Sequence, residues 1–106
     1  MNQIQTIYNK NLSFQELAVM IDNILISQRQ KRLNNLEKII LQGIYHQKTY
    51  DEIGCKAGYS SQTIKNTAHK LLKSLSNSEE LNQNKVNKVN LISTFQNYKI
   101  QLLNRN

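Results

Sequence analysis

Polar and basic side chains that could contact nucleic acid are concentrated between residues 56 and 73. Glutamine and asparagine amides can each form paired hydrogen bonds with adenine, lysine can donate to guanine, and cations or hydroxyls can meet phosphates. No aspartate or glutamate lies between Ile53 and Ser78, so the positive charge of this stretch is unopposed along the sequence. The candidate contact residues are Lys56, Ser60, Ser61, Gln62, Lys65, Asn66, His69, Lys70 and Lys73.

The sequence around these residues predicts two short helices joined by a tight turn, which could present them at a fixed angle. A capping box at Thr49–Glu52 begins the first helix, and Gly58 stands where a C-terminal glycine with positive φ is expected. Either Ser60 or Ser61 caps the second helix. Together these signals predict a helix-turn-helix at residues 49–76.

Apolar side chains recur at spacings of three and four along both predicted helices, which gives each helix a buried side. The second helix, which ends at about Leu75 or Ser76, should bury Ile64, Ala68, Leu71, Leu72 and Leu75. The first helix, at about residues 50–57, should bury Tyr50, Ile53 and Ala57. Gly54 should allow the two helices to pack closely, and Tyr59 should enter the core between them.

Three further helices are predicted around this motif. Capping boxes at Ser13–Glu16 and Asn34–Glu37 begin two of them, and Asn87 caps a last helix at about residues 88–103. The helix after Ser13 should bury Phe14, Leu17, Ala18, Ile21, Ile24 and Leu25. The helix after Asn34 should bury Leu36, Ile39, Ile40 and Ile44, with Leu33 just ahead of its cap. The last helix should bury Val89, Leu91, Ile92, Phe95, Tyr98 and Leu102. Three more residues widen the apolar side of the helix that begins after Ser13: Val19, Met20 and Ile26. We assign these three to core packing, with contact to another chain or to the last helix as the alternative.

Length and composition favour one small all-α domain. The 106 residues include no proline and three glycines, which suits helices joined by short loops. We predict a helical bundle of about five helices with a central helix-turn-helix, formed by residues 12–106. Residues 1–11 are expected to be a flexible arm and residues 77–84 a flexible polar linker.

The chain has a net charge of +7 and a pI of about 9.7. Nucleic acid, an anionic membrane surface or an acidic protein would attract such a chain. Asparagine, lysine and isoleucine are all frequent, as AT-rich coding DNA would produce, and that bias is the alternative explanation of the excess charge. The positions of the lysines are therefore more informative than their number.

The sequence contains no constellation of residues typical of an enzyme or a metal site. Cys55 is the only cysteine and is expected to be partly buried and inert, and His46 and His69 lack a neighbouring nucleophile or carboxylate pair. We predict no enzymatic activity, no cofactor and no metal. No membrane span or secretory signal is recognisable, so the expected location is the cytoplasm, or the plastid stroma if the gene is organellar.

Several stretches between residues 33 and 75 match one kind of known domain in order and without a gap. They are Leu33-Asn-Asn-Leu-Glu37, Ile40-Leu41, Thr49-Tyr-Asp-Glu-Ile-Gly54, Ala57-Gly-Tyr-Ser60, Thr63-Ile-Lys65 and Leu72-Lys-Ser-Leu75. This span resembles the DNA-binding domain of LuxR-type response regulators, and region 4 of bacterial sigma factors is similar. The resemblance implies that the second helix binds DNA and that Thr63, Lys65 and Asn66 contact bases or phosphates. Gly54 stands where the family has alanine, which we expect to affect helix stability more than function.

A second set of matching stretches covers about residues 12–95. They are Leu12-Ser-x-x-Glu-Leu-Ala18, Asp22, Leu33-Asn-Asn-Leu36, Thr49-Tyr-Asp-Glu-Ile53, Gly58-Tyr-Ser60, Ile64-Lys65, Lys70-Leu71 and Val86-Asn-Lys-Val-Asn90. They resemble the N-terminal helix-turn-helix domain of cyanobacterial signalling ATPases and vWA–MoxR-associated proteins, which implies a role in recruiting other components. Ala68-His-Lys-Leu-Leu72 departs from that family's Gly-Pro-Lys-Leu-Trp, and no ATPase is present in this sequence, so we expect the domain to stand alone.

The sequence therefore favours a DNA-binding helix-turn-helix protein that regulates transcription, with double-stranded DNA as its partner. The alternative is a protein-interaction or adaptor module of a signalling complex that binds no DNA. A homodimer or a protein partner would be held through the outer faces of the first and last helices of the chain, which begin after Ser13 and Asn87.

Overall fold

Five α-helices form the regular structure of residues 12–104, the part of the chain that this computed structural model describes. They are α1 (Phe14–Arg29), α2 (Asn35–Tyr45), α3 (Tyr50–Ala57), α4 (Ser61–Ser76) and α5 (Leu91–Leu103). No strand occurs in that range, so the prediction of an all-α bundle with a central helix-turn-helix is confirmed. The predicted arm at residues 1–11 lies outside the described range, and the division into an arm and a single domain stays a prediction.

Reciprocal hydrogen bonds at the N-termini of α1, α2 and α3 confirm the three predicted capping boxes. At α3, the Thr49 hydroxyl accepts from the Glu52 amide at 3.1 Å, and the Glu52 carboxylate accepts from the Thr49 amide at 2.8 Å. Each box satisfies amides that have no partner within the helix. The sequence itself therefore determines where these three helices begin.

The central helix of the domain is α4, which packs against α1, α2 and α3. Its predicted core residues are all buried: Ile64, Ala68, Leu71, Leu72 and Leu75. The buried apolar residues of the other helices are Leu17, Ile21, Ile24 and Leu25 in α1, Ile40, Leu41 and Ile44 in α2, Ile53 in α3, and Leu91 and Phe95 in α5. Burying one such side chain stabilises the fold by about 1.5–3 kcal/mol, so this shared core fixes the orientation of α4.

Two apolar residues of α1 that were assigned to core packing, Val19 and Ile26, are exposed. They are seven residues apart and therefore share one side of the helix, away from its buried residues. Met20, the third residue of that group, is partly buried against the core. As a result, α1 keeps an apolar strip on its outer surface, formed by Val19 and Ile26.

Ile39 of α2, which was predicted to lie in the core, is also exposed. The buried side of α2 instead includes Leu41, which the prediction left out, and the charged Glu37. Glu37 is tolerated there because the Arg29 guanidinium donates two hydrogen bonds to its carboxylate, at 2.9 and 2.7 Å. This ion pair joins the end of α1 to the start of α2.

Residues 77–84 form packed turns and not the flexible linker that their polarity predicted. Ser78 and Leu81 are buried, and so is Val86 just beyond the segment. The Ser76 hydroxyl accepts from the Val86 amide at 2.7 Å, which ties the segment back to the end of α4. Leu81, the one apolar residue of this stretch, and Val86 beyond it therefore pack against the core of the domain.

The last helix begins at Leu91 and not at about residue 88, as was predicted. The side chains of Asn87 and Asn90 each accept from the other residue's backbone amide, at 2.8 Å in both cases, and close a turn ahead of the helix. Val89, predicted to be buried, lies within this turn and is 93% exposed. Asn87, predicted to cap the last helix, therefore stabilises the turn that precedes it.

Two fully buried side chains, Leu91 and Phe95, attach α5 to the core. The Lys99 ammonium adds an ion pair at 3.0 Å to Glu16 of α1. Leu102, predicted to be buried in this helix, is exposed near its C-terminal end. The first half of α5 therefore belongs to the core, while its end contributes apolar surface.

Candidate nucleic-acid interface

Two glycines form the turn between α3 and α4. Gly58 has a φ of 85°, in the left-handed region that favours glycine. The amides of Gly58 and Tyr59 both donate to the Gly54 carbonyl at 2.9 Å. A Cβ on Gly54 would lie only 2.5 Å from the Tyr59 carbonyl oxygen. Close packing at Gly54 and a positive φ at Gly58 are thus confirmed.

Tyr59 does not enter the core between the two helices, as was predicted, and is 45% exposed. The backbone carbonyl of Tyr59, and not its ring, makes the close approach to Gly54. The close packing that the sequence predicted at Gly54 therefore involves the backbone of the turn, while the Tyr59 ring stays outside the core. The ring adds aromatic surface beside the start of α4.

Ser60, and not Ser61, caps the N-terminus of α4. Its hydroxyl accepts from the Thr63 amide at 3.0 Å and donates to the Thr63 hydroxyl at 2.9 Å. Both residues are exposed, whereas Ser61 is partly buried. The bonded hydroxyl pair lies at the positive end of the helix dipole, where a phosphate would be favoured.

The six polar residues that were predicted to point away from the core are all exposed along α4. They are Gln62, Lys65, Asn66, His69, Lys70 and Lys73. Helical periodicity places Gln62, Asn66 and Lys73 opposite the buried side, with Lys65 and Lys70 on the two flanks. The Gln62 side-chain nitrogen donates to Asn66 Oδ1 at 2.9 Å, so the two amides form one bonded pair at the centre of this outer face.

Lys56 is exposed in the last turn of α3. It lines an open groove of about 580 Å³ between α2 and α3, together with Ile39, Lys48 and Glu52. Lys56 therefore belongs to the supporting helix of the motif and lies apart from the amide pair of α4.

One cation beside the motif, Lys88, was not among the sequence-predicted contacts. Its ammonium nitrogen lies 4.7 Å from the centre of the Tyr50 ring at the start of α3. The Tyr50 ring in turn meets the His69 ring of α4 edge to face, with 6.3 Å between the ring centres. The segment that precedes Lys88 is tied to the end of α4 by the hydrogen bond between Ser76 and Val86, and no local sequence pattern indicates this placement.

The acidic residues of the helix-turn-helix, Asp51 and Glu52, lie in the first turn of α3, where they are favourable to the helix dipole. The pKa of Glu52 is lowered, first by the hydrogen bond from the Thr49 amide and further by the nearby charges of Lys48 and Lys88. Burial raises the pKa of the Tyr50 hydroxyl. The outer face of α4 itself carries amides, hydroxyls and cations without an acid.

No group of three or more histidine, cysteine, aspartate or glutamate side chains that could hold a metal ion occurs in the described part of the chain. Cys55 is exposed on α3 and not partly buried, because Ile53 and Gly54 take the buried side of that short helix. Of the helices within residues 12–104, none has both the length and the apolar character that a membrane crossing needs.

Sequence comparison matches residues 12–98 to the family described as the vWA-MoxR associated protein N-terminal HTH. The chain belongs to this family. The second resemblance that the sequence suggested, over about residues 12–95, is thereby confirmed. Neither the curated proteins nor the solved structures gave a match.

Membership in the vWA-MoxR associated protein N-terminal HTH family indicates a DNA-binding or regulatory module, and with the small all-helical fold it suggests a non-enzymatic one. The match includes all of α1 and much of α5, so these helices are part of the family's domain and not additions to a helix-turn-helix. The likeness to LuxR-type domains over residues 33–75 stays a resemblance.

Proposed function

We propose that this domain binds double-stranded DNA through the outer face of α4 and acts in transcriptional control. The observation that supports this most is an acid-free helix face on which a bonded amide pair is flanked by lysines. A helix of this kind can lie in the major groove when a second helix supports it. Here α3 supplies that support, through the close packing at Gly54 and the buried Ile53.

The Gln62–Asn66 pair gives the proposed face a preferred base. Because Gln62 donates to Asn66 Oδ1, the hydrogen bond fixes which side of the Asn66 amide carries oxygen and which carries nitrogen. Oδ1 has a second lone pair that can accept from adenine N6, while Nδ2 can donate to adenine N7. In this proposal Asn66 reads adenine and Gln62 positions it.

The remaining candidate residues are proposed to contact phosphates or neighbouring bases. Lys65 and His69 lie on one flank of the amide pair, where either side chain could donate to a guanine or to the backbone. The proposed phosphate contacts are Lys56, Ser60, Ser61, Thr63, Lys70 and Lys73. Phosphate contacts of this kind set the register of the helix on the duplex but supply no sequence information.

Salt-titrated binding to fragments of the source genome tests the proposal. Asn66→Ala should weaken binding to the preferred fragment by about 1–3 kcal/mol and relax its sequence preference at one base pair. Removing Lys70 and Lys73 should weaken binding to all fragments alike. It should also reduce the salt dependence of binding, because fewer phosphate contacts form and fewer counterions are released from the DNA. Lys31→Gln, in the connection between α1 and α2, is a matched control for loss of charge.

Two results would contradict the proposal. Equal, weak affinity for every fragment, lost at physiological salt, would leave only the electrostatic attraction of a basic protein for DNA. If Asn66→Ala leaves the sequence preference unchanged, the Gln62–Asn66 pair does not read bases.

A second candidate function is that of an adaptor without DNA binding. The exposed strip of Val19 and Ile26 on α1 favours it, as do the exposed Leu102 and Leu103 at the end of α5. The family description associates its members with vWA and MoxR proteins. On this hypothesis, the outer face of α1 binds a vWA or MoxR protein, and the apolar strip supplies the buried surface of the complex.

Titration calorimetry with purified vWA and MoxR proteins from the same genome separates the two functions. An adaptor should lose binding in the Val19→Gln/Ile26→Gln double variant and keep it in Asn66→Ala. If Asn66→Ala weakens the measured binding and the Val19→Gln/Ile26→Gln variant does not, the adaptor hypothesis is contradicted. Thermal unfolding of each variant checks that the fold is retained.

A further inference from the structure

We propose that Lys88 makes a phosphate contact outside the helix-turn-helix, so that the DNA backbone is held by the turn before α5 as well as by α4. This inference rests on the proposed DNA-binding function and adds to it a contact that the helix-turn-helix motif does not contain. It also gives residues 85–90 a role, since they lie outside both helices of the motif.

The backbone on both sides of Lys88 is fixed by hydrogen bonds. Ahead of it, the Ser76 hydroxyl accepts from the Val86 amide at 2.7 Å and donates to the Leu72 carbonyl at 2.8 Å, and Val86 itself is buried. After it, the Asn90 side chain donates to the Lys85 carbonyl at 3.1 Å and takes part in the reciprocal bonds of the turn. Lys88 is thus presented from an anchored turn.

The Lys88 side chain is also positioned, because its ammonium lies over the face of the Tyr50 ring. Tyr50 is partly buried between α3 and α4, and its ring contacts His69 on the flank of the proposed reading face. The Tyr50 ring therefore contacts both the Lys88 ammonium and the His69 ring. A lysine held in this way loses less conformational freedom on binding a phosphate than a fully mobile one.

The Lys88 charge remains available to an anion. Its acidic neighbour, Glu52, is held by the Thr49 amide in the capping box, and no ion pair joins Glu52 to Lys88 in the described part of the chain. Lys48 lies close enough to act on Glu52 as well, which is a second cation on this side of the motif. The Tyr50 ring, which contacts both side chains, places the Lys88 ammonium on the same side of the motif as His69, where a phosphate beside α4 can reach it.

Fluorescence anisotropy of the full chain on its tightest-binding fragment, titrated with salt, tests this inference. Lys88→Gln should reduce the slope of log affinity against log salt by about 0.9, the value expected for one lost phosphate contact. The ratio of specific to non-specific affinity should not change, because a phosphate contact carries no base information. Lys88→Arg should keep the wild-type slope, and Lys31→Gln is the control for loss of charge elsewhere.

Ethylation interference locates the contact on the duplex. At one phosphate, ethylation should weaken binding of the wild type and have no further effect on Lys88→Gln. A slope for Lys88→Gln equal to that of Lys31→Gln, or an unchanged ethylation pattern, overturns the Lys88 contact and leaves the α4 interface standing. Failure of the wild type to bind any fragment overturns the proposed function itself, so the two failures are distinguishable.

Discussion

At the scale of single residues, Gly54 shows how one missing side chain decides the geometry of the motif. The LuxR-type domains that the chain resembles have alanine at this position, which alone would suggest that glycine merely weakens α3. In this domain the Tyr59 carbonyl lies so near that a Cβ on Gly54 would be only 2.5 Å from it. Because the opposing atom belongs to the backbone, a larger residue would have to move the turn and, with it, the start of α4.

Overpacking usually costs about 1–3 kcal/mol, and a contact of 2.5 Å with a backbone atom places Gly54→Ala in the upper part of that range. We therefore expect a net decrease in the free energy of unfolding, since the gain in helix propensity from glycine to alanine is only about 1 kcal/mol. Urea unfolding followed by circular dichroism measures the change. Cys55→Ala, at the next and exposed position of α3, is the control and should change stability little. A Gly54→Ala variant as stable as the wild type would contradict the close approach.

At the scale of elements, the joint between α1 and α2 depends on charged groups as much as on apolar ones. The Arg29–Glu37 pair lies at this joint, and the Asp22 carboxylate accepts from the Leu33 amide at 2.8 Å beside it. Burial alone would raise the pKa of Glu37, but the hydrogen bonds from Arg29 and from the Asn34 amide outweigh it, and the pKa lies below the ordinary 4.5. The ionised carboxylate therefore stabilises the folded state above pH 4.5, and this contribution is lost as the pH falls through the lower, folded-state pKa.

Glu37→Gln should lower the free energy of unfolding at neutral pH by about 2 kcal/mol, because it leaves the Arg29 charge without its partner. This is below the cost of breaking a fully buried ion pair, since 32% of the Arg29 side chain is exposed. Glutamine can replace glutamate in a capping box, so the change removes the charge and leaves the helix start intact. Urea unfolding of both proteins across the acid range should show the difference shrinking as the wild-type carboxylate is protonated. Glu79→Gln, at an exposed position, is the control, and a difference independent of pH would contradict the assignment to charge.

The elements that the sequence predicted well are those whose ends are determined locally. Three capping boxes and one glycine with positive φ give the starts of three helices and the turn of the motif, because partners only three residues apart decide them. The predictions that failed depend on contacts between distant parts of the chain. Val89 and Tyr59 are apolar by type but exposed, and each lies in a connection between two helices. Lys88 reaches the motif only through the packing of a polar segment, which explains why it was not among the predicted contacts.

At the scale of the whole molecule, most acidic side chains and the lysines of α4 have different tasks. Four of the seven acidic side chains accept hydrogen bonds that begin helices or join them: Glu16, Asp22, Glu37 and Glu52. The lysines of α4 are exposed and carry no acid beside them on that helix. AT-rich coding could account for the number of lysines, but not for this division of roles. The uneven placement of charge is thus the stronger argument for an anionic partner.

A substitution in the last helix, α5, can test whether the whole domain folds as one unit. Phe95 of α5 is fully buried, although it lies outside the helix-turn-helix, and so Phe95→Ala should lower the free energy of unfolding by about 3–5 kcal/mol. If α5 shares the core, calorimetry should show a single transition that moves to lower temperature as a whole. Val89→Ala, which changes a side chain that is 93% exposed, is the matched control and should leave the transition in place. Two separate transitions, with only the weaker one shifted in Phe95→Ala, would mean that the helix-turn-helix folds without α5. In that case the turn that presents Lys88 would lose its support from α5, and any DNA contact would be confined to α3 and α4.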